Sequence, residues 1–254
     1  MEDLSAAPAG FHLFRYAAPP QFYALAGKAV PFFAGLATIL AAVGLYLGFF
    51  VAPTDAQQGE AYRIMFVHVP AAWMAMFIYV VMAGWASLGL ILNTRMSAIM
   101  ASALAPTGAL MAFLALWTGA LWGRPAWGTY WDWDARMTST LILLFLYMGF
   151  MALHSAIDDA RRADRASGVL ALVGVVNVPI IYFSVQWWNS LHQGSSITLG
   201  RAPTIATPML AAMLIMSLAF WMYCIAMALT RARAIVLERE RAADWVRALA
   251  GSGT

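Results

Sequence analysis

Charge is scarce in this chain. Asp, Glu, Lys and Arg make up 11% of its 254 residues, against 63% hydrophobic residues. Soluble proteins carry about 25% charged residues, so an ordinary soluble domain is excluded. Cysteine is nearly absent. The single thiol, Cys224, permits no internal disulfide, no CxxC pair and no thiolate metal cluster, and its place in an apolar run reads as packing. There is no P-loop, no dinucleotide fingerprint, no nucleophile–base pair and no paired catalytic carboxylates within an apolar run, so the chain is not read as an enzyme. No cleavable signal peptide is visible either. The chain opens with Glu2 and Asp3 rather than a basic n-region, and its first apolar segment is too long for an h-region. That segment is expected to remain as an anchor.

The few charges are also segregated. Residues 29–54, 64–94, 96–123, 137–157, 166–200 and 202–230 contain no Asp, Glu, Lys or Arg. A spanning helix needs about 20 apolar residues, and every one of these stretches is long enough. The pattern predicts an all-α integral membrane protein with six transmembrane helices, near 30–51, 64–92, 98–121, 137–156, 167–187 and 205–229. We read 1–254 as a single membrane domain: a cytoplasmic segment over 1–29, the six-span bundle over 30–229, and a cytoplasmic tail over 230–254.

Orientation follows from Lys and Arg, which are retained on the cytoplasmic side. With both termini inside, most basic residues, among them Lys28, Arg95, Arg161, Arg162, Arg165 and Arg239, fall on inner segments. Only Arg63, Arg124, Arg136 and Arg201 fall outside. The net charge of +3 reflects this bias and does not point to nucleic acid. Within the spans, Asn177 and Pro179 predict a kink in the fifth helix, and Pro70 and Pro106 are further candidates. Pro208 sits where the first turn of the sixth helix tolerates it. Beyond Thr230, Ile235, Ala242, Trp245 and Leu249 would share one face of a continuing cytoplasmic helix.

Against this background one outer segment stands out. Five of the chain's 11 tryptophans fall between Trp117 and Trp133. The stretch WGRPAWGTYWDWDARMTS, residues 122–139, places it between the third and fourth spans. Trp offers a large flat apolar face and one N–H donor, which suits the wet edge of a membrane. An aromatic belt accounts for Trp73, Trp187 and Trp188. It does not account for Trp127, Trp131 and Trp133 interleaved with Gly128, Asp132 and Asp134. If the segment is helical, Trp127 and Trp131 share a face and Gly128 leaves room for a ring to approach. This reads as a platform for something flat and partly anionic, a description a porphyrin fits. Asp134 and Arg136 could clamp the segment or meet propionates, and Arg124 and Arg201 are further carboxylate partners.

Of the four histidines, His12 in the N-terminal tail and His154 at the inner end of the fourth helix need no special role. His68, at the outer end of the second helix, and His192, in WWNSLHQGS after the fifth, both lie level with the tryptophan segment. Two histidines from separate elements can supply both axial ligands of one haem iron. A zinc or copper site would want three or four close ligands, and the spacing matches no compact motif of that kind.

The blocks YRIMFVHVPAAW (62–73), WGRPAWGTYWDWDARMTS (122–139) and VNVPIIYFSVQWWNSLHQGS (176–195), in a six-span layout, make the chain resemble the CcmC family. These are haem-handling membrane proteins of the cytochrome c maturation (system I) apparatus. The resemblance implies a haem b held at the periplasmic face of the bacterial inner membrane, with His68 and His192 as axial ligands. It implies that Trp122, Trp127, Gly128, Trp131, Trp133, Asp134 and Arg136 belong to the haem- and chaperone-contacting site. The implied partners are a periplasmic haem chaperone, a small single-span subunit and the core subunits of an ABC transporter. Asp132 adds a second carboxylate to which the resemblance assigns no role. The competing readings are a membrane cytochrome b-like redox subunit, a haem lyase-type subunit and a structural scaffold for the transporter. The first needs histidine pairs buried in the spans, where the inner half offers only His154. The second belongs to longer chains with more spans.

Overall fold

The computed structural model describes residues 18–188, 190–192, 202 and 204–251, and among these it contains helices and no strand. Long uncharged runs satisfy their backbone polar groups within one helix, which a lipid interior requires. Helix α1 spans Pro19–Tyr46 and passes into a π-helical turn, Leu47–Val51. A 3-10 turn at Glu60–Ile64 leads into α2, Met65–Leu92. There follow α3 (Arg95–Trp127), α4 (Ala135–Ser155), α5 (Ala160–Gly174), α6 (Asn177–Trp187), α7 (Thr207–Arg239) and α8 (Asp244–Gly251). With α5 and α6 taken as one interrupted span, six segments are long and apolar enough to cross a membrane. Each overlaps an expected span.

The interruption between α5 and α6 has a local cause. Pro179 lacks the N–H that would reach the Val175 carbonyl, and its ring crowds that group. The Val178 N–H bonds Val175 O instead, at 3.0 Å. Pro70 and Pro106, by contrast, lie within helices that run through without a break. At the C-terminal end the expected continuous face does not form. The chain turns at Glu240–Ala243, and α8 packs back on the bundle. Trp245 thereby joins Ile235 against Ile99, Ala103, Ala232 and Val236, and its ring lies 5.7 Å from that of Tyr23. Burying a tryptophan face against the bundle is worth more than extending it into water.

Helices α1 and α7 pack antiparallel. A Cβ on Gly27 would meet Arg233, and one on Gly44 would meet Met216, which fixes the register of α1 on α7. In the centre, the Tyr147 ring of α4 occupies a notch in α3. A Cβ on Gly108 would fall 2.2 Å from Tyr147 Cζ. The Tyr147 hydroxyl donates to Ala75 O on α2 at 2.8 Å, and its ring meets Tyr79 edge-on at 4.9 Å. Filling the notch is therefore costly: Gly108→Ala is expected to destabilise the bundle by about 1–3 kcal/mol. Thermal unfolding in detergent checks this. A melting temperature equal to that of the parent would mean that the notch does not set the packing.

This arrangement carries His68, Gly119, Asp134 and His192 to one end of the bundle. Asn93, His154, Asp164 and Arg239 lie at the other.

Candidate functional site

The site is organised around the start of α4. Asp134 has extended backbone (φ −69°, ψ 164°), and its Oδ1 accepts the Met137 N–H at 2.7 Å, capping the helix. Its Oδ2 accepts a short hydrogen bond from the Ser190 hydroxyl. Ser190 Oγ in turn accepts the His192 N–H at 3.0 Å, and His192 Nδ1 stands 3.4 Å from Asp134 Oδ2. One carboxylate thus starts α4 and holds the segment after α6. Burial pushes the Asp134 carboxyl up, but His192, Ser190 and the Met137 N–H outweigh it and take the pKa down to about 2.

The tryptophan segment is not one continuous helix. α3 ends at Trp127, because Gly128 adopts the left-handed conformation (φ 83°) and its N–H bonds Arg124 O at 3.0 Å. A glycine cap of this kind stops a helix, so Trp127 and Trp131 do not share a helical face. Nothing lies within 4 Å of where a Gly128 Cβ would be, so the residue serves the turn, not a close approach. Arg124 donates to Gly128 O and lies 5.7 Å from the Tyr130 ring centroid, which commits it to this turn. Trp127 packs on His192, with ring centroids 5.0 Å apart. Trp131 and Trp133 meet edge-to-face at 5.3 Å, and Trp133 remains 74% exposed.

His68 is placed by α2 and α3. Its Nδ1 lies 3.1 Å from Thr118 Oγ1, and the Thr118 hydroxyl donates to Leu114 O at 2.5 Å. With the hydroxyl hydrogen directed at that carbonyl, Oγ1 is placed to accept from His68 in its Nδ1-protonated tautomer. Nε2 is then the nitrogen with a free lone pair. The Trp122 ring meets His68 edge-on at 5.6 Å, and its Nε1 donates to Gln58 Oε1 at 2.7 Å, tying the α1–α2 connection to the site. A Cβ on Gly119 would come 3.0 Å from His68 Cε1, so only glycine leaves this ring its place.

Both histidines line one cavity between α2, α3, α4 and α6, of about 910 Å³ including its open mouth. Ala72, Met76, Leu116 and Leu143 supply apolar wall. Arg136 supplies the positive charge. It donates to the α6 carbonyls of Tyr182 and Ile181 at 3.3 and 3.4 Å, and its Nε lies 3.4 Å from Ser184 Oγ. Trp122 and Trp127 stand behind the histidines, not in the cavity wall, and Trp131, Trp133, Gly128 and Asp134 also lie outside that wall. His154 is far from this cavity and pairs with Asp164 at 3.0 Å. His12 and Arg201 lie outside the described residues, as does Asn189. Among the described residues no group of three or more His, Cys, Asp and Glu could hold a metal ion.

Four residues of the site carry no signal in the sequence reading. Thr118, Gly119, Gln58 and Ser190 act through partners distant in sequence, and a lone Ser, Thr, Gln or Gly has no motif to mark it.

The sequence profile described as heme exporter protein C matches residues 12–247. A heme exporter protein C from Haemophilus influenzae is 46% identical over 235 residues, 92% of this chain and 96% of the relative. One from Escherichia coli strain K12 is 45% identical over 235 residues, covering 92% and 94%. One from Bradyrhizobium diazoefficiens is 48% identical over 222 residues, covering 87% and 84%. With the profile spanning nearly the whole chain and such identities over almost the full length of each relative, the chain belongs to the heme exporter protein C family.

Proposed function

We propose that this protein binds haem b at the periplasmic face of the bacterial inner membrane. It passes that haem to a periplasmic haem chaperone during maturation of c-type cytochromes. The haem is cargo, and the protein is a carrier, not a catalyst. It works as one membrane domain, N-in and C-in, beside a small single-span subunit and the core of an ABC transporter. The observation that carries this reading is the single apolar cavity shared by His68, His192 and Arg136. The donor set suits haem: two imidazoles for the iron, a guanidinium for a propionate, and apolar walls for the ring.

The partners of the imidazoles support the same reading. Ligating histidines are usually fixed through the other ring nitrogen. Here Nδ1 of His68 meets Thr118, and Nδ1 of His192 lies beside Asp134. Thr118→Val removes the acceptor while keeping the shape, and is expected to weaken haem retention about 10- to 100-fold. Thr118→Ser should stay close to the parent. Haem dissociation measured by transfer to apomyoglobin checks both, and equal rates for the valine and serine variants would remove Thr118 from the site.

Release needs a docking surface beside the cavity. The exposed rings of Trp133 and Tyr130 flank the Asp134 clamp and suit that task. Haem-loaded protein mixed with the chaperone is expected to give up its haem to it. Trp133→Ala with Tyr130→Ala should lower chaperone recovery severalfold and leave the haem spectrum unaltered. Normal recovery with lost haem would make the segment a support for the ring instead.

A further inference from the structure

At the opposite end of the bundle, α2, α3, α4 and α5 enclose a second cavity, of about 680 Å³ including its mouth. It is lined by the apolar Ala86, Leu90, Ala101 and Phe150, by the polar Asn93, Thr94, Ser102 and Ser167, and by Arg95, Arg161 and Arg165. Arg161 and Arg165 stand four residues apart on α5 and share a face. Among the described residues neither forms an ion pair with a carboxylate. The one acid lining the cavity, Asp164, is already neutralised: Arg239 reaches its two oxygens at 2.7 Å each, and His154 stands 3.0 Å away. Arg95 reaches Glu240 at 3.3 Å, yet its side chain stays 70% exposed. The N-terminus of α3 opens at the same place. Thr94 makes no capping bond to it, its hydroxyl going to Ser97 Oγ at 2.7 Å, and the first turn holds no acid. Arg161 and Arg165 therefore stand at the cavity without a carboxylate partner among the described residues, beside Arg95, which shares Glu240.

We propose that this cavity binds a phosphate-bearing anion, supplied by the headgroup of an anionic phospholipid in the adjoining leaflet. The cavity lies where membrane-spanning helices end, and basic pockets between such helices take anionic headgroups. Leu90 beside the arginines offers an amphiphile an apolar contact that a free phosphate would not use.

Native mass spectrometry of the full chain, titrated with phosphatidylglycerol or phosphatidylcholine, tests this. The first phosphatidylglycerol is expected to bind on the order of tenfold more tightly than phosphatidylcholine. Arg161→Gln with Arg165→Gln should abolish most of that preference, and Arg161→Lys with Arg165→Lys should retain most of it. Arg162→Gln, outside the cavity, should leave it unchanged. Both arginines of the pair are exposed, so the core is not disturbed. Equal binding of the two lipids, or equal loss in Arg162→Gln, would overturn the site. Displacement of phosphatidylglycerol by millimolar inorganic phosphate would keep the phosphate chemistry and overturn the lipid as its source. Haem retention is unaffected in every arm, so the outcome is independent of the reading proposed for the histidine cavity.

Discussion

Replacing His68 or His192 with alanine is expected to lower haem retention on the order of 100-fold or more and to stop transfer to the chaperone. On the proposed assignment each substitution removes one of two axial ligands, a larger change than loosening a ligand through its partner, which alone costs about 10- to 100-fold. The effect is separable from unfolding. His68 sits in α2, where alanine is the best helix former. His192 lies outside the helices, and Ser190 and Asp134 keep their own bond without it. Thermal unfolding should therefore move little while haem is lost. His154→Ala removes one contact from the Asp164–Arg239 pair at the other end and should leave haem retention unchanged.

Asp134→Ala is the second large effect, and it acts on two properties at once. The substitution removes the N-cap of α4, which costs about 0.5–2 kcal/mol. It also frees Ser190 and leaves His192 Nδ1 without its neighbour. Haem retention should fall by at least tenfold, together with a lower melting temperature. Asp134→Asn separates the two. An amide oxygen still caps the helix, so less stability should be lost than in the alanine variant, while His192 loses the charge beside it. The carboxyl is held down at about 2 from an ordinary 3.8. Its stabilising contribution is thus present above pH 3.8, fades only as the pH falls toward 2, and is constant over neutral conditions. Parent-like haem retention in both variants would detach Asp134 from the site.

Much of the architecture is legible in the sequence because charge is so costly in a bilayer. Six uncharged runs mark six spans, and Asn177 with Pro179 marks the interruption of the fifth. Counting spans then places His68 and His192 at one end. The tryptophan segment is less transparent. The four-residue spacing of Trp127 and Trp131 suits a helix, yet Gly128 is also the residue that ends one, and its left-handed conformation decides between them. The break at Glu240–Ala243 carries no Gly or Pro to announce it. It arises because α8 gains more by returning Trp245 to the bundle. The polar partners of the histidines are the least legible. Thr118 meets His68 only because α2 and α3 form an antiparallel pair in one register, and Ser190 meets Asp134 only because α6 brings its end beside the start of α4.

Imidazole rescue tests the shared cavity most directly. The absorption spectrum of haem-loaded protein is recorded for the parent, for each single glycine variant, His68→Gly and His192→Gly, and for each variant with added imidazole. The parent should show a six-coordinate low-spin haem. Each variant should lose that spectrum, and imidazole should restore it by entering the space the side chain leaves. A parent-like spectrum in both variants before imidazole is added would contradict ligation by His68 and His192.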